Sequence, residues 1–168
     1  PPVVGAFRND FYWNSFSVSV NITCKLGHYF RRASVDYGQF LTQWAANKDF
    51  ANRWQKPGDE ETTQVPSIPA QIPTSLSRRD YSFYANSEIL VQKADHIRLQ
   101  DIVISYDFEK TKWSRLICKN VHVYCNITNV GILWRANNLG IDPDAVPYSL
   151  ATFLPQPRKV TLGAKFDF

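Results

Sequence analysis

The sequence predicts an all-β protein made of antiparallel strands from a transmembrane barrel, and three observations predict it. Four segments carry an apolar residue at every second position. The connections between them alternate short and long, as the turns and loops of a membrane barrel do. Aromatic residues gather at strand ends, where a barrel crosses the membrane–water interface.

Composition agrees. The 168 residues are 44% hydrophobic and 14% aromatic, with no methionine. No apolar run reaches the roughly 18 residues a spanning helix needs, so that class is excluded. The mean hydropathy is negative, but barrel strands are half polar and give a weak hydropathy signal.

The first strand, about 3–13, is the least tidy, because Phe7, Phe11 and Trp13 share their face with Asn9. Asn14-Ser15 is a tight turn. The second strand, about 16–27, sets Phe16, Val18, Val20, Ile22, Cys24 and Leu26 against Ser17, Ser19, Asn21, Thr23 and Lys25. An outer loop then occupies about 28–94. Within it Ser34 to Trp54 has helical spacing, with Tyr37, Leu41, Trp44, Lys48 and Ala51 along one side and Asp36 and Gln39 placed as a capping box. Lys56-Pro57-Gly58-Asp59 is a turn, and the prolines between Val65 and Pro73 keep that stretch irregular.

The third strand, about 96–108, puts Ile102, Ile104, Tyr106 and Phe108 opposite Asp101, Val103, Ser105 and Asp107. After a short connection, the fourth strand, about 120–131, sets Val121, Val123, Cys125 and Ile127 against His122, Tyr124 and Asn126. A second outer loop covers about 133–156. The last strand, about 157–168, opposes Val160, Leu162, Ala164, Phe166 and Phe168 to Thr161, Gly163, Lys165 and Asp167. All nineteen positions on the four tidy apolar faces are apolar, where 44% usage would give about eight.

A first loop of roughly sixty residues is rare in a compact soluble domain and ordinary outside a barrel. Placing the C-terminus in the periplasm puts both short turns there and both long loops in the extracellular medium. Tyr12, Trp13, Phe16, Tyr106, Phe108, Trp113, Phe166 and Phe168 then form the periplasmic aromatic belt, and Tyr29, Phe30 and Trp134 the outer one. The residues expected to face lipid are Val18, Val20, Ile22, Ile102, Ile104, Val123, Leu162 and Ala164.

Several functions are excluded. The three cysteines cannot all pair and lack zinc-like spacing. A net charge of +4 with isolated Arg31-Arg32 and Arg78-Arg79 pairs gives no nucleic-acid motif. His28, His96 and His122 form neither a triad nor a metal signature, so no enzyme, cofactor or metal is expected. For a ligand or a lid protein, the outer-loop candidates are Trp134, Asn137, Asn138, Tyr81 and Tyr84, with Trp44 and Trp54 more readily packing the loop. Lys25, Lys165, Asp107 and Asp167 either contact a plug or line a solvated channel wall.

The chain begins Pro1-Pro2-Val3-Val4, so either a leader was removed or the chain starts inside a longer protein. Five strands fall short of the about eight that close a barrel. Open edges in lipid would leave backbone groups unsatisfied. A barrel piece, residues 1–168, completed by strands from elsewhere is therefore expected.

Thr161, Gly163, Phe166 and Phe168 resemble the C-terminal assembly signal of bacterial outer-membrane barrels. Arg53-Trp54-Gln55-Lys56-Pro57-Gly58-Asp59 resembles a segment found late in the SusC-like TonB-dependent transporters of Bacteroidetes. Ala94 to Ile102 is similar to that family's strand with an Arg-Leu-Arg-Asn core. Val121-His122-Val123-Tyr124, Asn129-Val130 and Ile141-Asp142-Pro143 resemble its penultimate strand and the loop after it. Asn126 in place of a more usual glycine and Gln100-Asp101 in place of a basic-Asn pair depart from the pattern and leave the subfamily open.

The resemblance implies the C-terminal part, about the last five strands, of a barrel of about 22 in the outer membrane. It implies as partners the remainder of the barrel and its plug, a SusD-like surface lipoprotein, and TonB acting through the N-terminal part. The cargo implied is an oligosaccharide, with a peptide as the alternative. A soluble secreted β-sandwich binding module is the chief rival, and a small barrel closed by identical chains is another.

Overall fold

The computed structural model describes residues 1–38, 40, 47–68, 83–109, 118–145 and 156–168. The described residues include seven strands: β1 (Val3–Trp13), β2 (Phe16–Leu26), β3 (Tyr29–Arg31), β4 (Val91–Lys93), β5 (His96–Glu109), β6 (Asn120–Arg135) and β7 (Lys159–Asp167). Five of them form one antiparallel sheet in the order β1-β2-β5-β6-β7, while β3 and β4 pair separately. The large sheet is not closed, so β1 and β7 are its edges.

The β1–β2 turn is two residues long and puts Asn14 at φ 54°, a conformation asparagine tolerates better than most residues. That turn fixes the register Trp13↔Phe16, and every later pair follows from it. One row across the sheet reads Phe11, Val18, Ile104, Cys125 and Leu162. The neighbouring row reads Tyr12, Ser17, Ser105, Tyr124 and Gly163. The period-two residues thus sort into one apolar and one polar face over all five strands.

The parity breaks in β5 and again in β6, where Leu133 is skipped between Ile132 and Trp134. Asn21 pairs with Asp101 but Ile22 pairs with Leu99, so Gln100 is an extra residue on the bulged strand. Plain alternation counted back from Ile102 would send Gln100, Arg98 and His96 to the apolar face. The bulge instead aligns Leu99 and Ile97 with Ile22 and Cys24, and turns Arg98 and His96 to the polar side. Matching irregularities lie between β5 and β6, where Asn129 sits at φ 53°. Their effect is to extend pairing to His96↔Arg135, which carries β6 past 131, where its alternation had ended it.

The chain divides into two compact units, one holding the large sheet and the other residues 30–92. The sheet's apolar face carries no second layer among the described residues: Phe7 is 61% exposed and Leu162 76%. The unit of residues 30–92 has a core of its own, in which Val35, Tyr37, Val65, Tyr84 and Leu90 are buried with Phe50 and Ile68 packed against them.

The helix expected over Ser34–Trp54 is corrected in its described part. A helical turn begins at Tyr37, with Phe40 N donating to Asp36 O at 2.9 Å. Gln39, Leu41 and Trp44 lie outside the described residues. Lys48–Asn52 is a 3-10 helix that starts at Asn47 and returns to extended backbone at Arg53. The Asn47 side chain accepts from Asp49 N, and this local cap favours a new start over continuation of the earlier turn.

Candidate functional site

The β5 bulge builds the most organised polar site on the sheet. Arg98, 5% exposed, donates through Nη1 to Asn129 Oδ1 at 2.7 Å and through Nη2 to Asp142 Oδ1. Asn129 is held in turn by the Gln156 carbonyl. Arg98 Nε is buried and 3.5 Å from Asp144 Oδ2, without a hydrogen-bond partner among the described residues. Asp144 also receives Lys25 Nζ at 2.8 Å and lies 3.2 Å from His96 Nε2. One carboxylate therefore faces three basic side chains, contributed by β2 and β5.

His96 is 1% exposed, and its Nδ1 lies 2.8 Å from the Ala94 carbonyl. Both ring nitrogens face acceptor oxygens. His28 lies beside it with ring centroids 5.9 Å apart. Burial, reinforced by neighbouring positive charge including His96, holds the His28 imidazole below its ordinary pKa against the pull of Asp95 and Asp144. Asp95 Oδ1 fixes the backbone at this corner by accepting Gly27 N at 2.7 Å and His28 N at 3.2 Å.

The two aspartates come from the turn after β6. Asp142 Oδ1 accepts Asp144 N at 3.0 Å, and Pro143–Ala145 is a short 3-10 turn. Burial alone would raise the Asp144 carboxyl. The Lys25 hydrogen bond and the charges of Lys25, His96 and Arg98 outweigh it and hold the group below the usual carboxylate range. An open cleft of about 340 Å³ is lined by Lys25, Arg98, Gln100, Asn129, Asp142 and Asp144, among others. Chemically, such a site binds and orients charge.

Residues 30–92 hold their charges differently. Arg32 pairs with Asp49, whose Oδ2 also accepts Ser34 Oγ at 2.6 Å, and Ser34 Oγ is 3.1 Å from Tyr84 Oη. In the Arg53–Asp59 motif, Asp59 Oδ2 accepts Gln55 N at 2.9 Å and Lys56 N at 3.1 Å. Gly58 sits at φ 96°, where a side chain would be strained. Those two backbone donors hold the Asp59 carboxyl below its ordinary value. The Arg53 guanidinium lies 4.1 Å over the Phe50 ring. The motif's residue types are explained as a self-closing turn.

The described residues among those singled out for ligand or lid contact have different surroundings. Trp134 is not in a loop: it sits in β6 opposite Ile97 on the apolar face, 47% exposed. Tyr84 is 6% exposed in the core of the 30–92 unit. Asn137 is 5% exposed and exchanges both side-chain hydrogen bonds with the Ile141 backbone. Asn138 is exposed in the same turn, and Tyr81 lies outside the described residues. Around Trp134, Asn137 and Asn138 no aromatic platform with amides beside it forms among the described residues. An amide that staples its own turn, and a tyrosine that fills a core, are spent.

The apolar set fares differently. Val18, Val20, Ile22, Ile102, Ile104, Val123, Leu162 and Ala164 share one face, and Ile104, Val123, Leu162 and Ala164 are exposed there. Trp13, Phe16, Tyr106, Phe108 and Phe166 lie on that face at its turn end, with the Tyr106 and Phe108 rings 4.6 Å apart. In the terminal signal, Thr161 pairs with Asn126 and Phe166 with Val121, while Phe168 is 81% exposed. A Cβ on Gly163 would overlap the Tyr124 ring, so the glycine makes room for a cross-strand aromatic. On the polar side, Lys25 binds Asp144, Asp107 pairs with His122 at 2.6 Å, and Lys165 lies 3.6 Å from Asp167.

With these features in place, comparison with solved structures becomes informative. The chain is similar to a chain of the RagAB peptide importer in its open-open state, at 17% identity and a TM-score of 0.63. It is similar also to the RagAB peptide transporter, at 18% and 0.63, and to the importer in its closed-closed state, at 17% and 0.61. The fold is that of part of a transporter β-barrel. Between 98% and 100% of this chain is covered, but the chain spans only 17% of the length of each structure it matches. At such identity the likeness establishes the fold alone. No protein-family model and no curated protein matches the sequence.

Proposed function

We propose that this chain is the C-terminal five strands of a SusC-like TonB-dependent transporter in the bacterial outer membrane. The observation that carries the reading is the uncovered apolar face, continuous across five strands and rimmed with aromatics at one end. A sheet in water would bury such a face against a second layer; hydrocarbon is the medium that leaves it in place. The solved transporter chains support the reading by sharing the fold over nearly the whole chain. The two long connections face the outside, with a SusD-like lipoprotein over them. The missing strands and plug come from the rest of the protein, which receives energy through TonB. No bond is broken; the work is import.

For cargo we propose an oligomer too large for simple pores, an oligosaccharide in the first reading. A peptide is the second reading, favoured by the description of the matched structures as peptide importers. Purification of the full protein in detergent tests the whole proposal. The expected result is a heat-modifiable barrel that copurifies with a surface lipoprotein. Mass spectrometry of the retained molecule then separates sugar from peptide. A monomer of this chain that is soluble without detergent, with Val18 and Leu162 protected from water, would return the β-sandwich reading to first place.

A further inference from the structure

The cluster around Arg98 has a property that a passive channel wall lacks. Asp142 is anchored: its side chain is 11% exposed and takes one end of the Arg98 fork. Asp144 is not anchored in the same way. Its side chain is 34% exposed at the cleft, and its shortest contact is with Lys25, itself 36% exposed. The third guanidinium nitrogen, Arg98 Nε, is buried on a residue that lines the cleft and makes no hydrogen bond among the described residues. Two of the three guanidinium nitrogens of Arg98 thus donate to Asn129 and Asp142, and the third faces a carboxylate that it does not fully engage. Bulges are the usual means of re-aiming a side chain at a binding surface. Here the bulge at Gln100 is what brings Arg98 and His96 to the same face as Lys25.

We propose that Lys25, His96 and Arg98 form a carboxylate-binding site on the polar face, and that Asp144 of the chain's own turn occupies it as a stand-in for a carboxylate of the transported molecule. The proposal rests on the import function given above and names the chemistry of the cargo. Three basic groups converging on one carboxylate reward a charged ligand over a neutral one, since hydrogen bonds between ionised partners are roughly twice as strong as neutral ones. A sugar hydroxyl or an amide lacks the charge to displace Asp144. A peptide C-terminus, an acidic peptide side chain or a uronic acid carries it. Displacement exchanges one carboxylate for another and leaves Asp142 holding Arg98, so the turn stays in place while the Asp144 side chain swings off the basic groups.

The test uses the full transporter in detergent and two pairs of probes. One pair is an oligopeptide with a free C-terminal carboxylate and the same peptide as its C-terminal amide. The other is an oligosaccharide ending in glucuronic acid and its glucose-ended counterpart. The carboxylate member of one pair should bind about tenfold more tightly than its neutral twin, and which pair responds distinguishes peptide from sugar. Asp144→Asn should tighten binding of that member several-fold by weakening the internal competitor, and Lys25→Gln should abolish the preference. Because Arg98 variants risk misfolding, Lys25→Gln carries the test, with heat-modifiable migration as the folding control. Equal binding or no binding within both pairs overturns the proposal, as does an unchanged affinity in Asp144→Asn. Wild-type protein without heat-modifiable migration would overturn the transport reading as well; intact migration without carboxylate preference overturns this site alone.

Discussion

The sheet and the 30–92 unit solve the problem of apolar side chains in opposite ways. Residues 30–92 turn inward: Tyr37 is 2% exposed and Leu90 1%, and the buried Asp49 is matched within the unit by the half-buried Arg32. The sheet turns outward, with Leu162 at 76% and Phe166 at 55% exposure. One region carries its own core and the other needs a medium supplied from outside. A protein region whose apolar residues are regular, contiguous and unburied is reporting its environment, which on our proposal is lipid.

The largest effect that would break this contrast is at the end of β7. Deleting Phe168, or replacing it with a charged residue, should abolish outer-membrane assembly of the full protein, read as loss of the heat-modifiable species in membrane fractions. Unchanged levels would remove the terminal signal from the account. Next, Leu90→Ala should cost about 2–5 kcal/mol through the cavity it leaves. The cost should appear as faster proteolysis within 30–92 with the barrel still assembled, because the unit's core is its own.

An arginine on the sheet should behave differently according to face. Ile102→Arg, half-way along the apolar face, should cost about 2–4 kcal/mol in folding into lipid vesicles, whereas Ala6→Arg, at an exposed position of the opposite face, should cost much less. Equal costs would place both faces in water. Gly163→Ala should cost about 1–3 kcal/mol by driving a methyl into Tyr124, and a second change, Tyr124→Ala, should relieve it.

The smallest effect concerns acid. The Asp144 carboxyl is depressed in the folded chain, so its stabilising contacts are fully present above the ordinary carboxylate value of 3.8 and are lost as pH falls through the folded value. Hydrogen exchange at Ala145, whose amide donates to Asp142 O at 3.1 Å, should accelerate below that window and stay slow above it.

Much of the sheet was legible in advance. Six apolar residues at alternate positions from Phe16 to Leu26 admit one extended reading, and the two-residue Asn14-Ser15 turn sets the pairing. The Lys56–Asp59 turn was also recognisable, because glycine and aspartate at those offsets have a local role that needs no distant partner. The candidate site was not. Tyr84 and Asn137 looked like contact residues because their types suit ligands, but packing and a local hydrogen-bonded turn had already engaged them.

By itself, the amino-acid order determined where the strands run and which side chains share a face, since period two is a property of the backbone and survives any environment. Only the tertiary structure decided where that period fails. One unpaired residue, Gln100, reverses the faces of Arg98 and His96, and their meeting with Lys25, Asp142 and Asp144 depends on two strands and a turn far apart in the chain. The reason is that a bulge is chosen by what its strand pairs with, and pairing is a long-range event that local pattern does not encode.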